Sequence, residues 1–212
     1  MVRLIAVVFA FIAAAAHSQS ININSELLAA ARRGDTDAVR TLLERGAVVD
    51  SRNRLGDSPL LIAAKNGYTP MALLALERGA DVNQRNLSGV SALMAAAFEG
   101  NVELTRALLA RAADLASVDR VRKTAVIYAA GNGHAEVLGL LLDRGVDVNQ
   151  RYDNDLTALM WAAAYGRVAA VKLLLERGAD VSAHDNRGKT AADMAAEGAH
   201  RGTLELLRKN AS

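Results

Sequence analysis

The sequence predicts an all-α fold: a solenoid of stacked helix-turn-helix units joined by β-hairpin-like connections. The pentapeptide Asp81-Val82-Asn83-Gln84-Arg85 returns at Asp147 to Arg151, 66 residues on, and 66 is twice 33. A shift of 33 residues brings four columns into phase. Gly46, Gly79, Gly145 and Gly178 form one, with Ala112 in the remaining slot. Gly34, Gly67, Gly100, Gly133 and Gly166 form another, continued by Ala199. Alanine pairs begin at Ala30, Ala63, Ala96, Ala129, Ala162 and Ala195, and a hydroxyl stands at Ser25, Ser58, Ser91, Thr124, Thr157 and Thr190. Self-similarity at such a period marks stacked repeats. Composition agrees, since aromatics make up only 4 % of a chain rich in alanine and leucine, a bias toward helix over strand.

Residues 1–18 read as a secretory signal peptide. Met1-Val2-Arg3 is a short positive start, Leu4 to Ala16 is an unbroken apolar run of thirteen residues, and His17-Ser18-Gln19-Ser20 turns polar. The run is short of the roughly 20 residues that span a bilayer. Small residues fit cleavage after Ala16 or after Ser18, and an uncleaved anchor is the alternative. A short lead (19–24) follows. The repeats then run 25–52, 53–85, 86–118, 119–151, 152–184 and 185–212, the first and last read as caps. Polar residues on the outer turns of both ends, Glu26, Arg32 and Arg33 at one and Asp193, Glu197, Arg201, Glu205, Arg208 and Lys209 at the other, fit terminal units that face water.

The unit from Thr157 to Arg177 shows why each element forms. Thr157 is a good N-cap. Ala158 to Tyr165 is apolar nearly all round, the pattern of a helix buried between neighbours, and its paired alanines permit close approach. Gly166 ends it. In the second helix, from Val168, the side chains of Val171, Leu174 and Leu175 line one face, while Lys172 and Glu176 pair at i, i+4 on the wet side. Gly178 ends that helix, and a polar turn leads to the next hydroxyl.

These residues resemble the ankyrin-repeat family. Gly56-Asp57-Ser58-Pro59-Leu60-Leu61-Ile62-Ala63-Ala64-Lys65-Asn66-Gly67 matches the first half of its signature, and Gly133 to Asn149 matches the second. The resemblance covers Ser25 to Lys209. There are departures. The signature histidine is Leu28, Leu61, Met94, Ile127, Met160 and Asp193 here, so apolar packing is expected in place of its hydrogen bonds. The hairpin glycine, present at Gly56, Gly89 and Gly188, becomes Arg122 and Asp155, so those two tips are expected to differ in geometry.

Chemistry finds little support. The chain has no cysteine, which excludes thiolate catalysis, disulfides and zinc-thiolate sites. With 25 basic and 23 acidic residues and no dense basic run, it carries no nucleic-acid footprint. Loss of Arg3 with the leader lowers the net charge from +2 to about +1. His134 and His200 occupy one slot two units apart, about 20 Å at the spacing of packed helices. They cannot share a metal, and a structural role at the turn is expected. Asp81, Asp114, Asp147 and Asp180 are likewise one recurring slot, which is no converging acid-base set. Trp161 reads as core. No enzymatic activity, metal or cofactor is expected.

The resemblance implies a scaffold that binds a protein partner through hairpin tips and the exposed side of the first helices, a concave face. The tip slots hold Arg54, Leu55 and Asp57; Leu87, Ser88 and Val90; Arg120, Val121 and Lys123; Asp153, Asn154 and Leu156; and Asn186, Arg187 and Lys189. The first-helix ends add Lys65, Phe98 and Tyr165. Leu55, Leu87, Val90, Phe98, Val121, Leu156 and Tyr165 are apolar where water is expected, with basic residues beside them, the mark of an interaction site. The alanine-rich leader and the lack of cysteine suit the periplasm of a Gram-negative bacterium, with secretion as the alternative. The mature chain is expected to be a monomer free of membrane and nucleic acid, with self-assembly through the apolar stripe as the rival reading.

Overall fold

A computed structural model describes residues 22–210. The leader (1–18), the start of the lead and residues 211–212 lie outside the described residues. The chain divides into two compact units, one ending at Asp81 and the other beginning at Val82.

The first unit holds α1 (22–33), α2 (Thr36–Glu44), α3 (Pro59–Lys65) and α4 (Thr69–Glu77). Ser25 lies inside α1, so the hydroxyl column does not cap this helix. Asp35 caps α2 and Ser58 caps α3, each accepting a backbone N–H in the first turn. Helix α3 is buried along its length except Lys65, and Tyr68 lays its ring on Gly34.

The second unit holds α5 (Ala92–Glu99), α6 (Val102–Ala110), α7 (Ala125–Asn132), α8 (Ala135–Leu142), α9 (Ala158–Ala164), α10 (Val168–Glu176), α11 (Ala191–Glu197) and α12 (Arg201–Asn210). Helices α5, α7, α9 and α11 pack in sequence as one layer, and α6, α8, α10 and α12 as a second. Each layer-one helix starts where the hydroxyl column predicts. Ser91, Thr124, Thr157 and Thr190 accept the N–H three residues on. Ala96, Ala97, Ala129, Ala130, Ala162, Ala163 and Ala195 are fully buried, which lets neighbouring helices of this layer close on one another. The slot that holds histidine in the signature is buried and apolar at Leu28, Leu61, Met94, Ile127 and Met160, as expected. Asp193 instead completes a capping box with Thr190, whose backbone and side-chain hydrogen bonds lower its carboxyl pKa.

The connections are closed turns with little strand character. Among the described residues one isolated bridge forms, Arg85 with Ser91. Each turn closes with an N–H to carbonyl bond four residues on, as from Asn86 to Val90 and from Asp119 to Lys123, both 3.1 Å. Neighbouring tips of the second unit also meet: Arg120 N–H donates to Ser88 O at 2.9 Å, and Asn186 N–H to Asn154 O at 3.0 Å.

Candidate partner-binding face

The tips are held from inside by one recurring side chain. In the first unit Asn53 Oδ1 accepts the N–H groups of Leu55 and Asp57 at 2.8 and 2.9 Å. In the second, Asn86 accepts from Ser88 and Val90, Asp119 from Val121 and Lys123, and Asp185 from Arg187 and Lys189, all between 2.8 and 3.0 Å. This is an Asx turn written at the 33-residue period. Burial pushes the Asp185 carboxyl up, but the hydrogen bonds of Lys189 and Arg187 outweigh it and the pKa ends below the usual range. Tyr152 fills the slot in the remaining unit and cannot make this turn. That tip becomes a 3-10 turn over Asp153–Asp155, with Asn154 and Asp155 both at positive φ. The expected change of geometry is found there. At Arg122 it is not: this residue takes φ +63°, as the glycines do, and its N–H reaches Asp119 O at 3.0 Å.

On the first unit, Arg54 and Lys65 are exposed and Leu55 is 63 % exposed. A cavity of about 580 Å³ between the tip and α1 is lined by Leu28, Arg32, Leu55 and Lys65 among others. Asp57 is a correction. It is 3 % exposed, and its carboxylate pairs with Lys65 at 3.2 Å and touches Asn53, so it braces the tip and offers no outward contact.

On the second unit, Leu87 (60 %), Val121 (67 %), Phe98 (50 %) and Tyr165 (50 %) are exposed, in line with the expectation from sequence. Val90, Leu156 and Lys123 are half-buried and Arg120 is exposed. Arg187 pairs with Asp185 at 2.8 Å, and Lys189 pairs with Glu197. The rings form a connected patch. Phe98 meets Tyr128 edge-on, with centroids 5.7 Å apart, and Tyr165 stacks on Trp161 at 6.0 Å and 13°. Between the pairs lies the Lys123 ammonium, 4.7 Å from the Trp161 ring centroid and 5.6 Å from that of Tyr128.

Trp161 is the second correction. It is half-exposed and belongs to this face, not to the core. Tyr128 escapes sequence reasoning altogether. Both stand in one slot of the repeat, with Met194 in the next unit, so the period itself marks the column. The all-apolar helix pattern hides which side meets water. Burial, and then the hydrogen bond to Asp119, raise the Tyr128 phenol above the ordinary tyrosine range.

The histidines act in the frame. His134 Nε2 lies 2.9 Å from Phe98 O, and His200 Nε2 lies 3.1 Å from Ala164 O. A carbonyl only accepts, so each ring carries its hydrogen on Nε2. Arg167 does the same job with Nε on Gly131 O, at 2.9 Å. The side-chain amide of Asn132 also donates to Phe98 O, so the backbone beneath the Phe98 ring is held twice. Among the described residues no cluster of three or more His, Asp or Glu side chains could hold a metal, and no helix is long and apolar enough to cross a membrane.

The ankyrin-repeat family model, in three copies, matches residues 5–86, 73–152 and 127–212, nearly the whole chain. The chain belongs to the ankyrin-repeat family. No curated protein matches it. Ankyrin repeats are protein-protein interaction scaffolds and typically carry no enzymatic activity. In this ankyrin-repeat chain the second unit presents aromatic area with few rotatable bonds, flanked by cations, on a layer of closely packed helices.

Proposed function

We propose that this chain is an exported ankyrin-repeat scaffold, acting as a monomer in the periplasm, that binds a protein through the aromatic patch of its second unit. One observation carries the reading of the face. The chain has three phenylalanines, four tyrosines and one tryptophan, and half of these rings stand as two pairs, Phe98 with Tyr128 and Trp161 with Tyr165, bridged by the Lys123 ammonium. Aromatic clusters left half in water are the usual anchors of interfaces. Leu87, Val90, Val121 and Leu156 extend the apolar area, and Arg120, Arg187 and Lys189 form its rim. Arg54, Leu55 and Lys65 are candidate contacts on the first unit.

Cross-linked capture from envelope extract, with Phe98→Ala and Tyr165→Ala beside the parent chain, tests this. Both variants are expected to keep stability within about 0.5 kcal/mol, as surface changes do. Each is expected to weaken the captured complex by about 2 kcal/mol, as loss of an anchor does. Early unfolding of both would return the rings to the core. Unchanged capture by both would place the interface elsewhere. A monomer mass in solution separates this reading from self-assembly.

A further inference from the structure

We propose that the patch takes an acidic-apolar segment of the partner: one carboxylate accepts from the Lys123 ammonium, and a neighbouring large apolar side chain enters the cavity beside Trp161. This rests on the reading of the face as a protein-binding surface and adds what the partner must carry there.

The cation is the first argument. Three basic side chains nearby have their acids: Arg122 pairs with Asp153 at 3.1 Å, Arg187 with Asp185, and Lys189 with Glu197. Lys123 has none within 4 Å among the described residues. The closest carboxylate in sequence, Asp119, is occupied by the Tyr128 hydroxyl and the N–H groups of Val121 and Lys123. Lys123 is half-buried, and two rings hold its ammonium. An ammonium has three donors and no acceptor of its own. Ring faces attract its charge but leave those donors open to an anion. Arg120 on the same tip is exposed and also has no carboxylate partner among the described residues.

The cavity is the second argument. About 380 Å³ lie open between α9 and α11, floored by Leu156, Met160, Trp161 and Met194, with Arg187 and Glu197 among the lining residues. That is room for one large apolar side chain. The two methionines can reshape around it. Trp161 both lines this cavity and carries the Lys123 ammonium. Carboxylate and apolar group must therefore come from adjoining residues of the partner. A nucleic acid fits worse, because it needs a basic groove along its backbone, and this face also carries Glu99 and Asp155 exposed.

The test is selection of a random peptide display library on the full-length protein, followed by titration of the synthesised winners. Trp161 is the only tryptophan in the chain, so its emission reports binding at this face. Winners are expected to carry Asp or Glu beside Leu, Met, Phe or Trp and to change Trp161 emission. Replacing the winner's acid by its amide is expected to weaken binding about tenfold, the scale of one charge-assisted hydrogen bond. Lys123→Met is expected to do the same, with Lys123→Arg restoring binding. The amide peptide leaves the protein untouched, so the test stands even if Lys123→Met folds poorly. Winners that change Trp161 emission yet lack an acid, or ignore its removal, overturn the proposal and leave the face. Winners silent at Trp161, or no winners, overturn both. Self-association of the chain that depends on Lys123 also overturns it, naming a second copy as the occupant.

Discussion

At the residue scale, the glycine columns are conformational demands, but they are not all of one kind. Gly100 and Gly145 both sit at positive φ, +72° and +91°. A Cβ at Gly145 would meet nothing within 4 Å, whereas at Gly100 it would lie 2.4 Å from His134 Nδ1. Gly145→Ala is therefore expected to cost about 1–2 kcal/mol, the left-handed penalty alone. Gly100→Ala is expected to cost clearly more, because the ring that bonds Phe98 O must also move. Urea midpoints of the two variants compare these costs directly, and equal losses would show that the histidine contact contributes nothing. Tyr128 gives a second residue-scale prediction. Its folded pKa is raised, so its contribution to stability is complete below about 10, the ordinary tyrosine value, and fades as pH rises through the folded value. Tyr128→Phe is expected to remove a late step from an ultraviolet alkaline titration and to flatten the alkaline loss of stability.

At the element scale, the repeats of each unit are tied by a side chain to backbone bond that recurs with the period. In the first unit Asp50 Oδ1 accepts Asp81 N–H at 3.0 Å. In the second, Asn83 accepts Asp114 N–H and Asn149 accepts Asp180 N–H, both at 2.8 Å. The slot between them holds Ala116, which offers Asp147 N–H no acceptor. The same junction has the remodelled Tyr152 tip and an opening of about 650 Å³ lined by Ala116, Asp147 and Tyr152 among others. Ala116→Asn is expected to complete the series and stabilise the chain by about 1 kcal/mol, the net worth of one such bond. A denaturant midpoint that does not rise would show that water already serves Asp147 equally well. Packing within the layer gives the converse case. Ala163 is fully buried on α9, and Ala163→Leu is expected to cost about 1–3 kcal/mol by overpacking, read from the same midpoint.

At the scale of the whole molecule, periodicity decides what can be read from sequence. Helix starts, glycine stops, buried alanines and exposed tip residues all repeat, so each is legible as a column. The Asx column of Asn53, Asn86, Asp119 and Asp185 is equally periodic, but alternation between Asn and Asp and the break at Tyr152 conceal it. Trp161 and Tyr128 are harder for a physical reason. A first helix apolar on every side has no polar stripe to mark its outer face, so the wet side is set by its neighbours and not by its own sequence. The proposed leader carries none of the repeat columns and is read from hydropathy alone. Met1 to Ala16 pairs a positive start with an apolar run of thirteen residues, short of the roughly 20 that span a bilayer, and the proposed export rests on that pattern. If the chain is exported as proposed, mass spectrometry of the protein from its host is expected to find a mature chain beginning near His17 or Gln19. An intact Met1 end in the soluble fraction would place the protein, and any partner of the Phe98 to Tyr165 face, on the inner side of the membrane.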